Sequence, residues 1–277
     1  MKLVTKWSLM VVMMSTIFFA CDRANELDDS RDEELGATEE ILDAENMVDE
    51  DVSLTEDALN DISASASGRS VASLCAEITV DSVNHVITLD FGSGCVGPYG
   101  RSRSGKIVMT YGGEFNDGLA NRIITFEDYV VNNKEVTGSI EVGNYNQTTD
   151  GTYTATRTMN NYTVTFPNGT SKTILGATTY EIIEGYGDYD VSNNVVLVTG
   201  SYKTTTTFGA TYTYTIVEPV KLSYACLLSG NMLRVEGLIE IKRTNAVRVR
   251  TKTIDYGEGC DDSYTVSIDS ELIEVEG

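Results

Sequence analysis

The chain has one tryptophan, one histidine and three prolines among 277 residues, and its 20 Lys/Arg are outnumbered by 42 Asp/Glu. The single tryptophan, Trp7, lies in the N-terminal apolar run, so the remainder has no indole to stack on a sugar. There is no C-x-x-C pair, and the lone His85 cannot complete a Cys/His zinc site. Catalysis by a Ser/His pair would fall to Ser82 and His85 at one hairpin tip, without an orienting acid or an oxyanion cradle. A net charge of −22 excludes nucleic acid as a partner, because a phosphate backbone needs a basic surface. Beyond residue 20 there is no apolar run near the roughly 20 residues that cross a bilayer.

What the N-terminus does have is Lys2 and Lys6 followed by an apolar run from Trp7 to Phe19. This run is too short to span and reads as a signal peptide over residues 1–20. Phe18-Phe19-Ala20-Cys21 resembles a bacterial lipobox, with Phe18 where Leu is usual. It predicts cleavage before Cys21 and acylation of that thiol; the alternative is ordinary cleavage nearby with an incidental cysteine. Each buried CH₂ contributes about 0.8 kcal/mol, and two or more chains hold a protein stably, so the expected partner is a lipid bilayer reached through acylated Cys21.

Residues 22–62 hold seventeen Asp/Glu against Arg23 and Arg31, a net of −15. Such an arm is expected to stay solvated and self-repelling. Residues 21–70 therefore read as an acidic flexible tether. Leu42, Met47, Val48, Val52, Leu54 and Leu59 are irregularly spaced, which allows a short helix or two, with Ser53 or Thr55 as a cap. Ser63-Ala-Ser-Ala-Ser67-Gly68 reads as a joint, and a single globular domain is expected over residues 71–277.

From Val71 the apolar period is two. Alternating segments occur at 77–80, 86–91, 106–111, 122–126, 136–142, 153–158, 162–166, 173–184, 195–207, 211–217, 220–224, 233–243, 247–255, 264–268 and 272–275. Asn132-Asn133, Pro167-Asn168-Gly169, Asn193-Asn194 and Phe208-Gly209-Ala210 mark turns. No interval suits a βαβ crossover, so the fold class is all-β, an antiparallel hairpin meander. About fourteen strands exceed the ~10 that an open sheet tolerates, which predicts a curled sheet, a sandwich or a partly closed barrel. A three-residue 208–210 loop would set Thr207 opposite Thr211, with Lys203, Thr205, Thr207, Thr211, Thr213 and Thr215 on a wet face and Tyr202, Tyr212, Tyr214 and Ile216 on a covered one. A Thr244-Asn245-Ala246 loop would set Ile239 and Ile241 beside Val247 and Val249, and Glu240 across from Arg250.

Four cysteines remain: Cys75, Cys95, Cys226 and Cys260. An even count in an exported chain reads as disulfides. Of the three pairings, Cys75–Cys95 and Cys226–Cys260 are favoured because each closes a local segment; four reduced thiols are the alternative. Asp90-Phe-Gly-Ser-Gly-Cys95 is echoed by Asp255-Tyr-Gly-Glu-Gly-Cys260, a repeat that reads as a structural corner.

These corners, the lipobox-like start, the acidic tether, Cys75-Ala-Glu-Ile-Thr-Val-Asp81, Gly105-Lys-Ile-Val-Met-Thr-Tyr111 and Thr165-Phe-Pro-Asn-Gly-Thr170 together resemble a group of Bacteroidota envelope lipoproteins. The resemblance covers most of residues 71–277. It implies an outer-membrane location, facing the periplasm or the cell surface, and supplies no catalytic residues. Asp81-Ser82-Val83 likewise resembles the O-glycosylation sequon of such bacteria.

Paired carboxylates for a glycosidase are Glu181 with Glu184, or Asp90 with Asp255. Calcium ligands are Asp188 and Asp190, or Asp255 and Asp261 with Glu258 and Asp262, against the reading of solvated acidic turns. Arg101, Arg103, Lys106, Lys242, Arg243, Arg248, Arg250 and Lys252 form a basic set that would take an anionic polysaccharide or the chain's own acidic arm, or else simply form a charged solvent face. The expectation is a non-catalytic, membrane-anchored module that binds a protein or glycan partner, needs no cofactor, and has no catalytic residues. The alternatives are a carrier of an apolar ligand on a Tyr-lined concave face and a glycan-active enzyme.

Overall fold

The computed structural model describes residues 35–59, 62, 74–97, 100–112, 121–185, 191–243, 251–261, 263–268 and 271–276. Cys21 lies outside them. Two compact units divide between Glu45 and Asn46. The first contributes the opening turns of a helix, α1, that runs over residues 35–59. The second, Asn46–Gly277, holds the rest of α1 and every strand.

The strands begin with β1 (Glu77–Asp81), β2 (Val86–Asp90), a short β3 (Cys95–Val96), β4 (Ser102–Tyr111) and β5 (Arg122–Val131). Long hairpins follow: β6 (Lys134–Gln147), β7 (Tyr153–Thr165), β8 (Ser171–Glu184), β9 (Val195–Thr206) and β10 (Thr211–Ser223). A five-residue helix, α2 (Tyr224–Leu228), leads to β11 (Arg234–Arg243), β12 (Thr251–Glu258), β13 (Ser263–Ile268) and β14 (Glu271–Glu276). Each strand pairs antiparallel with its neighbours in sequence, β3 branching off β4, in one 14-stranded sheet that does not close. The all-β meander expected from the period of two is what forms.

Two pairs of expected strands fuse. Segments 153–158 and 162–166 are one strand, β7, because a bulge at Asn160–Asn161 shifts the register between Met159 and Tyr162. The extra residue changes the parity, so Ala155, Arg157 and Met159 share the covered face with Tyr162 and Val164. Segments 211–217 and 220–224 fuse into β10 in the same way. Pro219, which has no N–H for the ladder, falls within the register shift between Thr215 and Val220.

Both register expectations need correcting, to different degrees. Thr211 pairs with Thr205 rather than Thr207, a shift of two that leaves every side chain on its expected face. Glu240 pairs with Thr253, not Arg250, and Ile239 with Ile254. That odd shift turns β12 over. It buries Ile254 and Tyr256 and leaves Asp255 exposed, whereas the expected register would have turned those two apolar side chains outward.

The acidic arm departs furthest from expectation. Residues 47–55 of α1 are all buried, and the compact unit starts at Asn46 rather than Val71. Ser53 and Thr55 are not caps: both lie inside α1, and the Thr55 hydroxyl donates to the Val52 carbonyl at 2.7 Å. The irregular apolar spacing has a simple cause. A helix covered all round has no single apolar stripe.

Candidate functional site

The densest chemistry in the molecule lies where α1 meets the inner face of the sheet. Successive helical residues point about 100° apart, so Asp49, Glu50 and Asp51 fan over more than half the circumference and reach different strands. The Asp49 carboxylate accepts from Arg157 on β7 and, at 2.9 Å, from Arg234 Nη2 on β11. Glu50 takes Arg103 Nη2 on β4 and Arg101 Nε just before that strand, both at 2.8 Å. Asp51 accepts the hydroxyls of Tyr129 on β5 and Tyr162 on β7, one on each oxygen, both at 2.8 Å. One turn further on, Glu56 accepts from Arg122 Nη2 of β5 at 3.1 Å. Four separate strands thus converge on one helix, which requires the sheet to curl around it.

The cations are held in turn by the sheet. Arg157 donates to Tyr180 at 2.8 Å and Thr178 at 3.1 Å, and its guanidinium lies over the Tyr180 ring at 4.5 Å. Arg122 donates to the Tyr145 hydroxyl, and Arg103 Nε to the Tyr129 hydroxyl at 3.2 Å. Tyr202 and Tyr214 stack nearly parallel, with centroids 5.0 Å apart.

Environment separates the acids. Burial by itself would raise the Asp49 pKa, but the Arg157 and Arg234 guanidiniums outweigh it and hold this carboxyl below its ordinary value. Asp51 has tyrosines in place of a direct guanidinium, and burial pushes it up to about 7 despite the attraction of Arg103 and the two hydroxyls. Burial also raises Tyr129 and Tyr162 well above the ordinary phenol value, so both stay protonated and able to donate.

Sequence reasoning placed Asp49, Glu50, Asp51 and Glu56 in a solvated tether and did not single out Arg122, Arg157 or Arg234. A signal for the latter existed. Arg157 stands between Ala155 and Met159, and Arg122 two residues before Ile124, each in phase with an apolar, covered set. A cation in such a position demands a buried anion, and the acid-dense arm is the obvious donor. The basic set divides accordingly. Arg103 is buried, and with Arg101 it docks the acidic arm, so these two do not belong to a solvent face. Lys252 is also buried. Lys106 and Lys242 do stay on the solvent side, paired with Asp90 and Glu240. Arg243 is exposed, and Arg248 and Arg250 lie outside the described residues.

Of the carboxylates proposed for glycoside chemistry, Asp90, Asp255 and Glu181 each accept a hydrogen bond from a neighbouring group. Asp90 and Asp255 each accept the N–H of the glycine two residues on, at 2.8 and 2.9 Å, in corners with matching backbone: φ is 58° at Gly92 and 65° at Gly257. The sequence repeat is therefore a repeated turn. Glu181 accepts from the Thr152 hydroxyl at 2.7 Å, and Glu184 is exposed at the end of β8. Asp188, Asp190 and Asp262 lie outside the described residues. Asp261 caps the Ser263 N–H at 3.1 Å, and Glu258 is exposed. Among the described residues no group of three or more His, Cys, Asp or Glu is placed to hold a metal. Cys75 and Cys95, and Cys226 and Cys260, sit at disulfide-bonding distance, with Cα atoms 6.2 and 5.5 Å apart. Ser82 is exposed in the β1–β2 turn, and His85 stacks on Tyr111 at 5.1 Å.

No protein-family model, curated protein or solved structure matches the chain.

Proposed function

We propose that this protein is a membrane-anchored envelope lipoprotein, tethered through acylated Cys21, whose β domain is a non-catalytic binding or structural module. The observation that carries the non-catalytic part is the fate of the buried acids. Asp49, Glu50 and Asp51 are each occupied by arginine or tyrosine donors of the same chain. A glycosidase needs two facing carboxylates open to substrate, and these acids instead bind the chain to itself. Partner recognition then falls to the outer sheet face and the hairpin tips, where a protein or glycan would dock, with the membrane reached through Cys21.

The carrier reading draws less support. An apolar ligand needs several hundred Å³; among the described residues, the space between Arg157, Val198, Tyr202, Ile216, Val220, Leu222 and Arg234 measures about 10 Å³, enough for one water. Residues 47–55 of α1 are buried and bonded to β4, β5, β7 and β11, which takes up part of the face that such a ligand would need.

The anchor is tested by expressing wild type and Cys21→Ser in a bacterium that processes lipoproteins, with palmitate labelling and membrane fractionation. Label and membrane partitioning are expected for the wild type, and loss of both for the variant. A serine variant that stays with the membrane rejects the anchor. Separately, steady turnover of a glycan or ester panel by residues 22–277 rejects the non-catalytic reading. An unmodified mass for the Ser82 peptide from native cells removes the glycosylation expected there.

A further inference from the structure

The acid that differs from the others is Asp51. Asp49, Glu50 and Glu56 all face guanidinium groups directly, whereas both Asp51 oxygens face phenolic hydroxyls. The donor inventory decides where a proton can sit. Tyr129 Oη receives a hydrogen from Arg103 Nε, so its own hydrogen points at Asp51 Oδ1. Tyr162 Oη carries no such obligation and can turn from donor to acceptor. A proton on Asp51 therefore belongs on Oδ2, donated to Tyr162, whose own hydrogen then turns away from the carboxyl.

We propose that Asp51 is a proton-binding site that couples the docking of α1 to pH: protonated on Oδ2, it locks residues 47–55 against the sheet, and ionised it loosens them. The groups that face it are Glu50 on its own helix, Arg103 on β4, Tyr129 on β5 and Tyr162 on β7. Glu50 repels the ionised form and is itself committed to Arg103. Arg103 attracts the ionised form through Tyr129 rather than by contact. The tyrosines remain protonated across the range, so in this cluster of one carboxyl and two phenols Asp51 is the group that titrates. A carboxyl fully inside the helix–sheet interface, and not neutralised by a contacting cation, binds its proton more tightly folded than unfolded. One proton is thus released on opening, and the equilibrium shifts tenfold per pH unit until the folded-state group has itself ionised.

The test is hydrogen exchange of the full chain between pH 5 and 9, corrected for intrinsic exchange, on wild type and Asp51→Asn. Protection across residues 47–55 of the wild type is expected to fall about tenfold per pH unit from 5 to 7 and to level off above 8, while Asp51→Asn shows no such fall. Identical profiles in the two proteins overturn the proposal. A second measurement is independent of any variant: carboxyl ¹³C shifts of aspartate-labelled wild type are expected to show one aspartate titrating between pH 6 and 8. A spectrum in which every aspartate has ionised by pH 5 overturns it.

Discussion

Arg157 of β7 donates to Asp49 of α1 across 108 residues of sequence, and both side chains are almost completely buried. Arg234 reaches the same carboxylate from β11. One aspartate thereby joins two strands to the helix they enclose. Removing one partner of a buried pair leaves the other charge uncompensated in a medium that cannot solvate it.

Asp49→Ala is therefore expected to destabilise the fold by about 3–5 kcal/mol. Glu56→Ala should cost much less, because the Glu56 side chain is 25% exposed and its pair with Arg122 is partly screened. Urea titrations of both variants check the ordering, and equal losses would contradict this account of the network.

The Asp49 pair carries its own pH signature. The folded-state pKa lies below the ordinary 3.8, so its contribution is present above that value and is lost as pH falls through the folded one. Asp49→Asn is expected to be much less stable than wild type at pH 7, with the gap narrowing as the solution is acidified below about pH 4. Unfolding midpoints measured at pH 7, 4 and 3 test this. Asp51 acts with the opposite sign and in a different window: its raised value weakens the fold as pH climbs from about 4 towards 7, then has no further effect.

The two cysteine pairs close loops of 20 and 34 residues. Loop entropy assigns about 3 and 4 kcal/mol to them. Peptide mapping without reductant should recover Cys75–Cys95 and Cys226–Cys260 as the crosslinked pairs, and Cys226→Ser/Cys260→Ser should lose slightly more stability than Cys75→Ser/Cys95→Ser.

Two glycines separate conformational strain from steric collision. Gly92 has φ +58° and open space around it, so Gly92→Ala should cost about 1–2 kcal/mol. At Gly105, φ is +78° and an added Cβ would stand 2.1 Å from the Asp128 carbonyl oxygen. Since backbone has to move there, Gly105→Ala should lose clearly more than Gly92→Ala in the same urea assay.

Most of the sheet was legible because alternation is local: Val136, Ile140 and Val142 declare their covered face without reference to any other strand. Turn chemistry was equally local, and Asp90 and Asp255 announced their corners by repeating the same six-residue pattern. The β11–β12 register was not legible. Seven residues separate Arg243 from Thr251, and alternation accepts any loop that keeps some apolar set inward; the pairing of Ile239 with Ile254, which buries Ile254 and Tyr256, is a choice that local alternation does not make. A helix was allowed by Leu42, Met47, Val48, Val52, Leu54 and Leu59, but its burial was missed for a related reason. A run containing Asp49, Glu50 and Asp51 has the composition of a solvated arm until its counter-charges are known, and those lie 51 to 185 residues away.

From its residues alone, then, this chain dictates a strand-rich antiparallel meander, its turns and corners, and a local preference in cysteine pairing, since each depends on neighbours within a hairpin. Tertiary structure alone decided that residues 47–55 of the acidic segment are interior. A buried carboxylate is tolerable only when cations from several strands surround it at once, and that arrangement exists only after the sheet has curled.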